Sequence, residues 1–162
     1  MTSKLKIGNV DRLANVTYSL FVGAAIDAAS GASALEVLVS RASATGINAA
    51  TGGWYGWWRE KMCSYTGTTQ ESGPLRKGVS DLLAFCTFQI PLYALVRTTG
   101  GAIGELTGKG ELDVTEILSG MGLLAAFSPL IGPTLGIYTD TVRRLFGIKS
   151  AAEGAYSEIN KE

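Results

Sequence analysis

Residues 117–139 read ILSGMGLLAAFSPLIGPTLGIYT. No Asp, Glu, Lys or Arg interrupts these 23 residues, which are bounded by Glu116 on one side and by Asp140, Arg143 and Arg144 on the other. At ~1.5 Å of rise per residue, a helix of this length crosses a hydrocarbon core of ~30 Å. Lipid, not water, is then the solvent for this segment, and every backbone polar group in it must be satisfied inside a helix. The fold class that follows is an all-α membrane protein.

Working outward, three more helical arms can be drawn. The first covers about residues 13–30 and contains Asp27, and the second covers about 33–58 with Glu36, Arg41 and Asn48. The third covers about 79–101, with Asp81 near its start and Pro91 in its middle, and the fourth, built on the uncharged run, covers about 114–146. Lys and Arg gather in the N-terminal segment, between the second and third arms (Arg59, Lys61, Arg76, Lys77), and after the fourth. By the positive-inside rule both termini and the central loop 63–78 are cytoplasmic, which requires four spans. Trp54, Tyr55, Trp57 and Trp58 lie just before Arg59 and Lys61, where an interfacial aromatic belt belongs. The tail 150–162 reads as a polar surface segment. No internal repeat of the inverted kind found in some transporters is evident. One membrane domain, residues 1–162, is the expected organisation.

Composition narrows the chemistry. Fourteen basic and fourteen acidic side chains cancel, so nothing draws the chain to nucleic acid. Mean hydropathy is +0.22, between the soluble and membrane classes. There is no histidine, which removes the commonest general base and metal ligand. No nucleophile–base pair and no metal-ligand spacing stand out, so an enzyme is not expected, nor is a metal or other cofactor. Cys63 and Cys86 make no disulfide framework and read as reduced thiols.

Three blocks carry a family resemblance. The first is Ser40-Arg41, Asn48, Tyr55-Gly56 and Arg59. The second is DLLAFCTFQIPLY, residues 81–93. The third is Gly132, Gly136, Tyr138, Asp140 and RRLF, residues 143–146. Together they resemble the L-alanine exporter family (AlaE-type), small four-helix proteins of the bacterial inner membrane, over about residues 40–148. TFQxPxY inside a helix is the more specific element. Gly46 stands where the family pattern has proline, the first helix matches loosely, and the acidic connection before the fourth helix is longer. The resemblance implies export of L-alanine or a similar small neutral amino acid, coupled to protons by antiport, with membrane lipid as surroundings. In a eukaryote the same protein would sit in an organelle inner membrane. Four helices are few to enclose a path, so a homo-oligomer is expected. The competing reading is an accessory transmembrane subunit of a larger membrane complex.

Individual residues then take expected roles. Arg41, about two turns into the second helix, costs ~2.5–3.5 kcal/mol to place in lipid and must face protein or a wet cavity. It is either a clamp for a substrate carboxylate, since guanidinium offers a planar fork, or a salt-bridge partner of Asp27 or Glu36, or it snorkels to the outer surface. Asn48 and Gln89 lie at similar depth and pair with one another or meet substrate. Pro91 frees the carbonyl of Thr87, so that Thr87, Gln89 and Tyr93 become candidates for holding an ammonium group. Asp27, Glu36, Asp81 and Asp140 are proton or ion-pair sites, Asp140 being placed to latch onto Arg143 and Arg144 on its own helix. Gly52 and Gly56, like Gly132 and Gly136, form small-residue seams for close helix approach, within one chain or between chains.

Overall fold

In a computed structural model, residues 4–25, 34–106, 114–154 and 156 are described. They form four long helical segments. Helix α1 (Lys4–Tyr18) runs into a π-helical turn at Ser19–Gly23. Helices α2 (Ala34–Tyr65), α3 (Pro74–Leu106) and α4 (Val114–Leu145) follow, then a 3-10 turn at Ala151–Glu153. No strand occurs among the described residues.

The helices exceed the expected arms except at α4, whose ends the charges mark. Helix α1 starts nine residues before the expected 13, because Ile7, Val10 and Ala14 are buried on one face and make the polar N-terminal segment amphipathic. Helix α2 has 32 residues, a length of ~48 Å. It runs past the aromatic cluster because Arg59, read as a boundary charge, and Glu60 beside it are interior. The connection that remains, residues 66–73, is short and bound: Thr68 N donates to the Cys63 carbonyl at 2.8 Å and Arg76 Nη2 to that of Thr66 at 2.7 Å.

Among the described residues two helices are long and apolar enough to cross a membrane, α3 over Pro74–Leu95 and α4 over Ile117–Leu145. Both turn apolar side chains outward, Leu83 and Leu95 on α3 and Leu118, Leu123, Phe127, Leu130 and Ile137 on α4. Lipid is the medium in which so much exposed apolar surface is stable. Helices α1 and α2 are more polar.

The chain packs as two hairpins, α1 against α2 and α3 against α4. The glycine seams lie inside these hairpins. A Cβ at Gly52 would sit 2.8 Å from the Arg12 Cα, and one at Gly132 would sit 3.0 Å from the Leu82 Cα. Gly53 packs on Gly8 in the same way. Without side chains at these positions the helix backbones approach closely and gain dispersion contact, which drives helix association where water is absent. Whether the seams pack within one chain is thereby answered for the described residues: they do.

Where α4 ends, Gly147 takes the left-handed conformation (φ 68°). Ile148 N then donates to the Arg143 carbonyl at 2.8 Å, a Schellman closure that only glycine forms without steric cost. The chain turns back so that Ile148, Ala151 and Tyr156 are buried against the helix ends. Residues 150–154 and Tyr156 are thus docked, not a free polar surface segment. Residues 157–162 lie outside the described part.

Candidate functional site

The end of the bundle that carries the Lys and Arg excess holds a buried ionic layer. Arg59 of α2 is 1 % exposed. Its Nε donates to Asp81 Oδ1 of α3 at 2.9 Å. Its Nη1 and Nη2 donate to the two carboxylate oxygens of Asp140 on α4, at 3.2 and 3.3 Å. Nη2 also reaches the Gly136 carbonyl at 3.2 Å. Arg143 of α4 is fully buried and forks onto Asp11 of α1, Nε to Oδ1 at 2.7 Å and Nη2 to Oδ2 at 2.8 Å. Nη2 also approaches the Gly56 carbonyl at 3.4 Å. Planar two-point pairing of this kind is what makes a buried charge tolerable, because most of the desolvated donors face an acceptor.

Glycine makes room for both carboxylates. A Cβ at Gly56 would overlap the Asp11 carboxylate, and a Cβ at Gly136 would overlap that of Asp81. Gly56 and Gly136 therefore do more than let helices approach: each leaves the space in which an aspartate turns toward an arginine.

Tyr156 seals the layer from the tail side. Its hydroxyl donates to Asp11 Oδ2 at 2.9 Å and its backbone N–H to Glu60 Oε2 at 2.7 Å. Burial, reinforced by the Asp11 carboxylate, pushes its phenol well above the usual tyrosine range, so it remains an O–H donor. Ser150 and Glu153 form a reciprocal capping box on the 3-10 turn. Hydrogen bonds from the Ser150 side chain and backbone hold the Glu153 carboxyl below its ordinary value.

Above this layer lies an aromatic one. Tyr55, Ala84, Phe85 and Leu135 are its buried centre, with Tyr18, Trp58 and Phe88 packed around them. The Trp58 indole N–H donates to Thr87 Oγ1 at 2.9 Å, and the Tyr138 hydroxyl to Thr17 Oγ1 at 2.9 Å. Trp54 and Trp57 are exposed, but Tyr55 is fully buried. Its hydroxyl has no hydrogen-bond partner among the described residues.

The opposite half of the bundle holds Arg41. Its Nη1 donates to the Ser19 carbonyl at 3.0 Å and to the Ser19 hydroxyl at 3.3 Å. Its guanidinium lies over Gly23, where any Cβ would collide with it. Both contacts fall on the π-helical turn, a wide turn of a type often found at functional sites. Asp27 lies outside the described residues, and so does the side chain of Glu36.

The candidates read from sequence are thus spread through the bundle. Asp81 and Asp140 meet on Arg59. Asp140 is paired there across helices, and not mainly along its own helix with Arg143 and Arg144 as expected, because Arg143 is turned to Asp11 and Arg144 is exposed. Thr87 is taken by Trp58, and its hydroxyl also bonds the Leu83 carbonyl at 2.7 Å. Tyr93 lies over Gly120, with its ring end in the space a side chain there would fill. Asn48 and Gln89 are half-buried, and no hydrogen bond joins them among the described residues. Pro91 sits within a continuous α3. Asp11 and Tyr156 were not among the sequence candidates, and Arg143 was expected only as a partner of Asp140. Asp11 and Arg143 are 132 residues apart, and nothing local ties them together.

Comparison with known proteins places this arrangement. A family model described as "L-alanine exporter", AlaE, matches residues 1–149. A protein of Cronobacter sakazakii named L-alanine exporter AlaE is 29 % identical over 151 residues, covering 93 % of this chain and 89 % of its own. One of Pectobacterium parmentieri with that name is 29 % identical over 148 residues (91 % and 95 %). One of Escherichia coli K12 is 29 % identical over 147 residues (90 % and 91 %). No solved structure matches. A match running from the first helix to the turn that closes α4 takes in both glycine seams, both buried arginines and Arg41, and on that span the chain belongs to the AlaE family of L-alanine exporters.

Proposed function

We propose that this protein exports L-alanine or a similar small neutral amino acid across the bacterial inner membrane, as a transporter and not an enzyme. The observation that carries the reading is the family match along 1–149. The geometry supports it with polar groups that a merely structural bundle would not need. Arg41 crosses from α2 to the π-turn of α1 in the outer half, and charged groups of all four helices meet at the cytoplasmic half. In this reading Arg41 receives the substrate carboxylate, and Asn48, Thr87, Gln89 and Tyr93 line the route between the two layers. Asp81 and Asp140 lie where a proton from the cytoplasm would be exchanged for substrate. A homo-oligomer belongs to the same reading, and because both glycine seams are spent inside the chain, copies would meet through the outward leucines of α3 and α4.

The test is counterflow of labelled L-alanine in liposomes holding only this protein, against glycine, serine and valine, with and without a pH gradient. Uptake of alanine above protein-free liposomes is expected, faster when the gradient is imposed. Arg41→Ala should abolish it while the protein still reconstitutes. Lack of counterflow by the wild type, together with co-purification in a large defined complex, would replace this reading with an accessory subunit.

A further inference from the structure

The two hairpins are the same hairpin twice. Residues 8–18, GNVDRLANVTY, align without a gap on residues 78–88, GVSDLLAFCTF, sharing Gly, Asp, Leu, Ala and Thr. Residues 52–60, GGWYGWWRE, align on residues 132–140, GPTLGIYTD, sharing both glycines, an aromatic residue and a final carboxylate. The contacts repeat as the letters do. Gly52 meets Arg12 and Asp11, while Gly132 meets Leu82 and Asp81. Trp58 donates to Thr87 and Tyr138 to Thr17, each pair reaching from one hairpin to the other. Each arginine also crosses over: Arg59 grips Asp81 and the Gly136 carbonyl, and Arg143 grips Asp11 and the Gly56 carbonyl. The arginines do not occupy equivalent positions, Arg59 lying three residues past its glycine and Arg143 seven, yet they end on equivalent acceptors. Both hairpins begin and end at the same side of the bundle, so they are parallel repeats about an axis along the membrane normal, a type distinct from the inverted one.

Two crossed clasps at the junction of two rigid repeats suit one class of ligand. A zwitterionic amino acid carries one carboxylate and one ammonium, the same two charges as an aspartate–arginine pair. Entering between two such pairs, its carboxylate takes one arginine and its ammonium the aspartate of the other pair, and the arginine and aspartate left over turn to each other, so no buried charge is left alone. Two buried donors already stand open between the repeats. Arg143 Nη1 and the Tyr55 hydroxyl have no partner among the described residues, and both side chains are fully buried. Tyr55 lies one turn from Arg59 on α2, at the position where the second repeat has Leu135.

We propose that the junction of the two repeats is a binding site for a zwitterionic amino acid, which opens the crossed clasps Arg59–Asp81 and Arg143–Asp11 together by exchanging partners with them. The inference rests on the transport reading and names the cytoplasmic site of that transporter.

Cys63 reports on the clasp. It is buried one turn beyond Arg59 and accepts a hydrogen bond from Ser80 beside Asp81 at 3.4 Å. In a Cys86→Ser background of the full chain, reconstituted in liposomes, its labelling by a membrane-permeant maleimide is timed. L-alanine should accelerate labelling several-fold, and acetate or ethylamine, each half of the zwitterion, should not. Asp81→Asn and Asp11→Asn should each raise the basal rate and remove the alanine effect, although Asp11 lies in the other clasp. A wild-type rate that alanine leaves unchanged or lowers, at concentrations that saturate counterflow, overturns the proposal without any clasp variant having to fold. So does an Asp11→Asn protein that labels like wild type. If counterflow itself is absent the transport reading fails. If counterflow is present and labelling is indifferent to alanine, this site alone fails.

Discussion

Hairpin α1–α2 and hairpin α3–α4 make corresponding contacts with very different amounts of apolar surface. Among the described residues, the second contains both helices that qualify as spans by length and hydropathy, and the first contains neither. Yet glycines, an aspartate beneath them and a threonine one to two turns on recur in both. Hydropathy therefore tracks what a helix shows to its surroundings, while the small-residue seam and the carboxylate in it decide how the helices cross. Helix α1 can carry Asp11 because that carboxylate is fully buried under Arg143.

The comparison is broken hardest at the arginines. Arg59→Ala leaves two carboxylates, Asp81 and Asp140, without their guanidinium. Losing one partner of a buried pair costs about 3–5 kcal/mol, and Arg59→Ala should reach at least the top of that range in thermal or denaturant unfolding in detergent. Arg143→Ala strands only Asp11, which keeps the Tyr156 hydroxyl as a donor, and should fall in the lower part. Equal losses would mean that the two clasps are alike in strength as well as in pattern.

Next come the glycines. Gly56→Ala and Gly136→Ala each put a methyl where an aspartate carboxylate lies. Overpacking costs about 1–3 kcal/mol, with some clasp energy lost in addition. Because the displaced carboxylate sits in the repeat that carries the glycine, each substitution should loosen one clasp first. If Gly136→Ala destabilises far more than Gly56→Ala, the apolar hairpin is the rigid half and the polar one adapts to it.

How much of this was legible in sequence follows from what sequence locality can carry. The ends of α4 were plain, since charge stops at Glu116 and resumes at Asp140. The seams Gly52–Gly56 and Gly132–Gly136 were visible as spacing, but not that an aspartate fills each one, because Asp11 and Asp81 lie on other helices. Arg59 and Arg143 looked like interfacial charges that fix orientation. That role and burial in a clasp predict the same position along the helix and differ only in rotation about it. Arg41 was singled out by its cost in lipid, but its partner Ser19 was hidden by the π-turn, which no residue pattern announces. The duplication was readable in GxxDxLAxxT, and a search confined to inverted repeats passes over it.

The smallest effects sharpen the comparison most, because they disturb neither charge nor packing. Trp58→Phe removes the indole N–H that reaches Thr87, and Tyr138→Phe the hydroxyl that reaches Thr17. An ordinary hydrogen bond contributes about 0.5–1.5 kcal/mol net. Tyr138→Phe keeps the ring that packs at a tilt on Tyr18, with centroids 5.7 Å apart, so its loss should lie within that range. Trp58→Phe also shortens a side chain packed on the Tyr55 centre and should cost more than the bond alone. In a double-mutant cycle with Thr87→Val and Thr17→Val, the coupling energies isolate the two bonds from packing. If the repeats are related as their contacts indicate, the two couplings agree within experimental error even though the single substitutions do not. Unequal couplings would confine the symmetry to the clasps and the glycine seams, and leave the aromatic layer as two unrelated contacts.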